Sequence, residues 1–409
     1  MSTEEVDVVV IGAGQAGLAA SHELAAAGIE HVVLERRTTV GGAWQDRWDS
    51  FCLVSPNDTI RLPGGEYRGP DPHGFLPGAE VARHLRDYAA SFAAPVRTGV
   101  AVTALRPRPD GGLDLRTAGG LVRARAVVVA TGAFQEPNRP AWAAEVPVPV
   151  LDATEYRNPA AVPEGDVLII GSGQCGCQIA EELTLAGRRV VLACGRAPWG
   201  PRRFEGRDLT DWLVEFGFFD VRTADLPDPS ARLWANPQLT GASGGHDLNT
   251  RTLQALGVGL AGHLAGIHDG AAAVFTEDLA ESVAWGDARY ADLRSGITRW
   301  RTAHRLPVPE MPVPEPFDAS AAVGEVALRD LGAIILATGF HPAYQWIEAP
   351  NAFDSHGFPL HVDGASTVIR GLWFVGVHFL RARKSALLLG VGEDAAVVAR
   401  DVAESVGAG

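Results

Sequence analysis

The feature that most limits how this chain can fold is a device built twice. Residues 9–37 read VVIGAGQAGLAASHELAAAGIEHVVLERR, and residues 169–196 read IIGSGQCGCQIAEELTLAGRRVVLACGR. Each copy is a β-branched apolar run, a G-x-G-x-x-G turn, an Ala-rich amphipathic helix and a second apolar run. A short apolar run without polar alternation suits a strand buried on both faces, as in a parallel sheet. In the first copy the helical periodicity runs to Ala27 and Gly28 stops it; in the second copy Gly187 is the stop. Residues 6–35 and 167–194 therefore read as two strand–helix–strand units, and the fold class as α/β with two Rossmann-like dinucleotide-binding domains.

Within the first turn, Gly12 permits the tight bend, Gly14 lets a pyrophosphate approach the backbone, and Gly17 lets helix pack against strand. The helix that opens at Gln15 offers free N–H groups and a partial positive charge to phosphate. Glu35 closes the second strand, where a carboxylate can accept hydrogen bonds from both ribose hydroxyls of an adenosine; Arg36 follows it. The second turn has Gly171, Gly173 and Gly176, with Gln174 and Cys175 opening the helix. Counted from the first glycine, the position of Glu35 is taken by Cys194. The acid is absent, and Arg196, Arg202 and Arg203 follow. Loss of the acid removes repulsion against a 2′-phosphate, and arginine can grip one. A solvated basic turn is the plain alternative for Arg202 and Arg203. One site for a plain ribose beside one for a phosphorylated ribose points to electron transfer from NADPH to a flavin.

Bulk properties exclude other classes. The chain has 409 residues, 46% apolar, with a formal net charge of -14, so a nucleic-acid partner is not expected. Short basic clusters, such as Arg381 to Lys384, could hold a small anion. Cys52, Cys175, Cys177 and Cys194 match neither a disulfide framework nor a zinc site, and the histidines show no metal-binding pairing. The first strand begins almost at Met1, so no signal peptide is expected, and no apolar run is long enough to span a bilayer. The expectation is a cytoplasmic protein without membrane contact, acting on a small molecule, with a homodimer left open.

Between the two units lie a helix near Glu80–Phe92 and short strands ending in AVVVATG at 126–132; AIILATG at 333–339 echoes them. Pro-rich connections run from Pro137 to Pro163 and over 306–317, and a helix closes the chain from Gly392 to Val406. This symmetry suggests that the chain leaves a first domain near 160 and returns near 330. The expected division is 1–160, 161–330 with the second domain inserted, and 331–409. Residues 200–305, rich in Asp, Trp and Gly, read as helical in pieces.

The stretches GAGQAGLAA, LERRTTVGGAWQDRWDSFCLVSPN, ATGAFQEPN, GSGQCGCQIA and LATGF together resemble the flavin-containing monooxygenases over nearly the whole chain. The likeness is to bacterial members and to the plant enzymes that oxidise indole-3-pyruvate. The resemblance implies an FAD domain (the 1–160 and 331–409 parts) with an NADPH domain inserted in it. It also implies that NADPH reduces FAD, O₂ adds at flavin C4a, and the hydroperoxide oxygenates a small organic substrate. By position, Gly41, Gly42, Ala43 and Trp44 match the stretch along FAD. Asn57 matches the family's active-site Asn, and Asp58 its neighbour. Cys175 to Gln178 match residues at the NADP pyrophosphate. Thr131 with Gly132, and Thr338 with Gly339, sit at the domain crossings, and Val102 joins the expected cofactor set. The family fingerprint F-x-G-x-x-x-H falls on Val146, Val148 and Asp152 and fails at all three. That weakens assignment to the Baeyer–Villiger and N-oxygenating branches.

Other readings stay open at this stage. Cys175-Gly176-Cys177 invites a redox pair, one residue shorter than the C-x-x-C of thioredoxin reductases. Cys52 reads as packing. His378 could approach the flavin, and Lys384 with Ser385 could put positive charge near flavin N1; a charged turn before a core helix is the alternative. The Asn57 side chain could instead cap backbone groups in the turn after Pro56. For the whole protein, the alternatives are a reductase or oxidase releasing H₂O₂, and a non-catalytic redox-sensing flavoprotein. The region 200–305 is expected to shape the substrate pocket.

Overall fold

The structure is a computed structural model that describes residues 3–109 and 111–407. The two strand–helix–strand units nucleate two separate sheets. In the first, the strand Thr3–Ile11 lies between Val32–Leu34 and Gly120–Val129, parallel to both. Val96–Arg97 extends the sheet on one side and Leu372–Phe374 on the other, again parallel. Helix α1 (Gln15–Ala26) makes the first crossover. Helix α2 (Gly78–Ser91) lays Val81, Ala82, Leu85 and Tyr88 inward, spaced by three and four residues as an amphipathic helix requires. An antiparallel hairpin, Val102–Pro107 with Leu113–Thr117, hangs from Gly120–Val129.

The second sheet is wholly parallel, in the order Val150–Asp152, Leu331–Leu336, Asp166–Ile170, Val190–Ala193, Gly259–Ala261. Helix α3 (Gln174–Leu185) crosses over it. All six residues of Leu331–Leu336 are buried, as a central parallel strand demands. The segment that builds this sheet, 150–336, interrupts the segments that build the first, so the second domain is inserted in the first.

The boundaries differ from those expected near 160 and 330. Val150–Asp152 and Leu331–Leu336 both belong to the inserted sheet, so the chain crosses at 130–149 and again after 336. The two crossings are paired: Phe340 lies opposite Pro137 and His341 opposite Glu136 in an antiparallel ladder. The Asn138 N–H donates to Gly339 O at 2.9 Å. The AIILATG echo is therefore real, but its strand duplicates AVVVATG in the other sheet.

Residues 200–305 hold more regular structure than their composition suggests. Helices α4 (Leu209–Glu215) and α5 (Thr250–Leu256) precede the edge strand Gly259–Ala261. A meander, Leu264–His268, Ala272–Phe275 and Glu325–Ala327, follows. Helix α6 (Leu279–Ala303) runs for 25 residues. Part of this region is thus inserted-domain core. Helix α7 (Val391–Gly407) ends the described chain and packs on α1.

Candidate functional site

The first glycine turn is closed by contacts that leave no room for a side chain. Gly12 has φ +105°, and a Cβ on it would lie 2.6 Å from Ala130 O, at the end of the neighbouring strand. A Cβ on Gly17 would run into the Gly12 carbonyl oxygen, and one on Gly42 would lie 2.9 Å from Gly14 Cα. Two backbones thus meet at Gly14 and Gly42 with a cradle between them. Glu35 is buried at its rim, where Oε2 accepts from the Ala13 N–H at 2.7 Å and Oε1 from the Arg37 N–H at 2.8 Å. Those two amides orient the carboxylate and leave lone pairs for two ribose hydroxyls. The Val100 N–H donates to Glu35 O, which brings Val102 to the same corner. Arg36 is exposed; its neighbour Arg37 is the engaged one, paired with Asp46.

Gln15 ties three segments together. Its Nε2 donates to Ala386 O at 2.6 Å, and its Oε1 accepts from Trp44 Nε1 at 2.8 Å. Gly42 and Trp44 are therefore fixed against the first turn, with Ala43 exposed between them. Beyond them Trp48 and Phe51 pack edge to face at 4.9 Å and enter the core of the inserted domain beside Tyr156.

The second turn repeats the geometry. Gly171 has φ +106°, with Ala337 O at 2.5 Å from a notional Cβ, and Gly176 backs onto the Gly171 carbonyl. A Cβ on Gly173 would meet nothing within 4 Å, so the turn is open there. Gln174, at the position of Gln15, clamps Leu239: its amide donates to the carbonyl and accepts from the N–H. Where Glu35 straps the first turn to its strand, the second copy uses a neutral hydroxyl. Ser172 Oγ accepts from the Gly195 N–H at 3.1 Å and donates to Gly195 O at 3.0 Å. Cys194, in the place of Glu35, is buried, and burial pushes its thiol up to about 12. The position itself thus holds no carboxylate to oppose a phosphate. Arg196 is exposed and makes no ion pair or side-chain hydrogen bond among the described residues.

Several expected roles are overturned by placement. Arg202 is 1% exposed and fully engaged: Nε and Nη2 donate to Asp208, and Nη1 donates to Val54 O at 2.6 Å. It is a strut between segments, not a free phosphate ligand. Arg203 donates to the carbonyls of Gly244 and Gly245. Asn57 is 2% exposed, with Nδ2 donating to Asp71 O at 2.8 Å and Oδ1 accepting from the Leu76 N–H at 2.7 Å. Its amide braces the 71–76 loop, the turn role rather than an open catalytic one. Asp58 beside it keeps a buried Oδ1 without a hydrogen-bond partner among the described residues. Lys384 is held by Asp220 at 2.7 Å and Glu393 at 2.6 Å on the wall of a cavity of ≈ 340 Å³, so its charge is neutralised.

The cysteines offer no redox pair. Burial pushes the thiols of Cys175, Cys177 and Cys52 up, and a thiol kept protonated is a poor nucleophile. His378 is driven down to about 4 by burial and by the guanidiniums of Arg383 and Arg232. Arg383 itself lies between Phe218 and Phe379 with no ion pair among the described residues, and burial lowers it to about 10. Thr131 accepts from the Gln135 amide, and Thr338 donates to Asn138 O, so both threonines brace the paired crossings at Gly132 and Gly339. Sequence reasoning missed Ser172 and His263, the latter facing Gly195; a serine after the first turn glycine was the one available signal.

The arrangement fits two dinucleotides. Each turn presents a helix N-terminus over a cradle that a Cβ would fill, and only the first carries an acid for ribose. Comparisons with known proteins agree. Residues 9–213 match the family model for pyridine nucleotide-disulphide oxidoreductase. An uncharacterized CzcO-like oxidoreductase of Geobacillus kaustophilus is 30% identical over 97% of this chain and 98% of its own. Indole-3-pyruvate monooxygenase YUCCA1 of Oryza sativa is 29% identical over 45% of this chain and 46% of its own. A flavin-containing monooxygenase from Stenotrophomonas maltophilia has the same fold, with TM-score 0.66 and 22% identity over 98% of this chain and 99% of that one.

Proposed function

The chain belongs to the pyridine nucleotide-disulphide oxidoreductase family, among the flavin-containing monooxygenases, and from that membership we propose that it is a monooxygenase acting on a small organic substrate. It is an oxidoreductase of FAD and NADPH. The observation that carries the reading is the pairing of two like turns of unlike charge: Glu35 strapped to Ala13 in one, Ser172 strapped to Gly195 in the other. One holds a plain ribose and the other tolerates a phosphorylated one.

Bound flavin would supply the oxygen-activating chemistry: one atom of O₂ goes to the substrate and the other leaves as water, with NADPH giving the two electrons and solvent the additional proton. The chain's own work is holding and shielding. Gly14 and Gly173 let pyrophosphates reach the backbone, Glu35 orients the FAD adenosine, and Gln15 and Gln174 lock the segments that flank each turn. Trp48 and Phe51 seal the seam between the domains. The raised thiols of Cys175 and Cys177 argue against thiol–disulfide exchange as the activity.

The test is a screen of amines, sulfides, ketones and 2-oxo acids with ¹⁸O₂. NADPH and O₂ should disappear in equal amounts with at least one class, and the product should gain one labelled oxygen. Full recovery of the electrons as H₂O₂ with every class would make the protein an oxidase instead.

A further inference from the structure

The edge strand Gly259–Ala261 runs beside Val190–Ala193 with Ala261 opposite Ala193. Both strands therefore end at the same rim, next to the second glycine turn. Gly195 and Arg196 follow one strand, and Gly262 and His263 follow the other. The His263 ring is held from behind. Asp278 Oδ2 bonds to Nδ1 at 2.6 Å, while Oδ1 accepts from the His263 N–H at 3.0 Å and from the Thr276 hydroxyl. A Cβ on Gly262 would run into Asp278 and Thr276, so glycine is what lets the clamp close.

With Nδ1 tied, Nε2 is the atom that faces outward, toward Gly195. A Cβ on Gly195 would lie 3.2 Å from His263 Nε2. The imidazole is half exposed, and Nε2 has no hydrogen-bond partner among the described residues. Two nitrogen-bearing side chains, Arg196 and His263, thus flank the strand end where the first copy carries its ribose acid, and neither is otherwise engaged on that side. Arg202 and Arg203, the other cations of this segment, are spent elsewhere.

We propose that His263 binds the 2′-phosphate of NADPH together with Arg196, with Asp278 as its positioning residue. The inference rests on the reading of the second turn as the NADPH site. In the imidazolium form one N–H lies on Asp278 and the other points to the phosphate, an anion on either side. A dianionic phosphate accepts such charge-assisted bonds strongly, whereas the 2′-hydroxyl of NADH has no charge to engage. A Cβ at Gly195 would press on the ring, which would have to give by a few tenths of an ångström.

The experiment measures NADP⁺ and NAD⁺ binding to the full-length, FAD-loaded protein by calorimetry, for the wild type, His263→Ala, His263→Gln and Arg196→Ala. His263→Ala should raise the NADP⁺ Kd about tenfold, ~1.4 kcal/mol, and leave that of NAD⁺ within about twofold. His263→Gln, which keeps a side chain of similar reach, guards against a folding defect and should show the same selective loss. Equal weakening of both nucleotides would mean that the ring stacks on adenine or serves the fold, and unchanged NADP⁺ binding would mean that it touches neither; each overturns the proposal. If the wild type binds NAD⁺ as tightly as NADP⁺, the NADPH reading itself fails, an outcome visible before any variant is made.

Discussion

Arg202 and Asp208 form a buried ion pair in which Nε and Nη2 both donate to Oδ2, at 2.8 and 2.6 Å. The guanidinium also stacks over Phe75, 4.4 Å from the ring centroid, and reaches Val54 in the first domain. Removing one partner of such a pair leaves an uncompensated buried charge, which costs roughly 3–5 kcal/mol. Arg202→Leu should lower the urea midpoint accordingly, with the ratio of NADP⁺ to NAD⁺ affinity unchanged. Lysine should not rescue it, because a point charge cannot reproduce the forked contact. A collapse of the ratio would return Arg202 to the phosphate site.

Asn57 should prove structural first. Its buried amide satisfies one acceptor and one donor in the 71–76 loop, and leucine would remove both of these part-buried hydrogen bonds. Each such hydrogen bond contributes about 0.5–1.5 kcal/mol. Asn57→Leu should therefore melt several degrees lower and lose FAD on gel filtration. Full FAD content with normal melting and increased H₂O₂ release would instead restore a direct role in the reaction.

What was legible in the chain follows from how local each signal is. The glycine turns and their helices are short-range devices, each fixed by a few residues of special conformation, and they appear where the pattern put them. The fates of Arg202, Asn57 and Lys384 depend on partners far along the chain: Val54, Leu76 and Asp220. No spacing rule reports such partners. The same holds for the domain boundary. Leu331–Leu336 looks like any buried parallel strand, and only pairing with Asp166–Ile170 assigns it to the inserted sheet.

Arg196→Ala should act on one nucleotide alone. The side chain is exposed and has no ion pair or side-chain hydrogen bond among the described residues, so its loss disturbs none of their contacts. A hydrogen bond to a charged partner contributes about 1.5–3 kcal/mol, which is roughly a ten- to hundredfold rise in the NADP⁺ Kd. NAD⁺ binding should stay near wild type. Equal losses would make Arg196 a residue of the fold.

Glu35→Ala should release FAD while sparing the nucleotide site of the inserted domain. The substitution removes both the acceptor for ribose and the strap to Ala13 and Arg37. The protein should elute colourless, yet still bind NADP⁺ with wild-type affinity. Retained yellow colour through dialysis would show that the turn alone holds the cofactor.

The last expectation concerns pH. Asp394, in the first turn of α7, is 3% exposed, and its Oδ2 has no hydrogen-bond partner among the described residues. Burial raises its carboxyl to about 6, although Ser385 and Arg381 pull the other way. A folded-state value above the ordinary one means that the folded protein holds this proton more tightly than the unfolded chain. The resulting stability is fully present below about pH 4 and is lost as the pH rises through about 6. The shift of about two units corresponds to roughly 3 kcal/mol at neutral pH. Asn has the same shape and no charge, so Asp394→Asn should match the wild type near pH 4 and exceed it in denaturant midpoint at pH 7.5. The gain falls short of the full figure because the contact of Arg381 with Oδ1, at 3.3 Å, is weakened. Midpoints measured for both proteins between pH 4 and 8 decide it: a gap that does not widen with pH would show that the Asp394 carboxylate is not strained by burial.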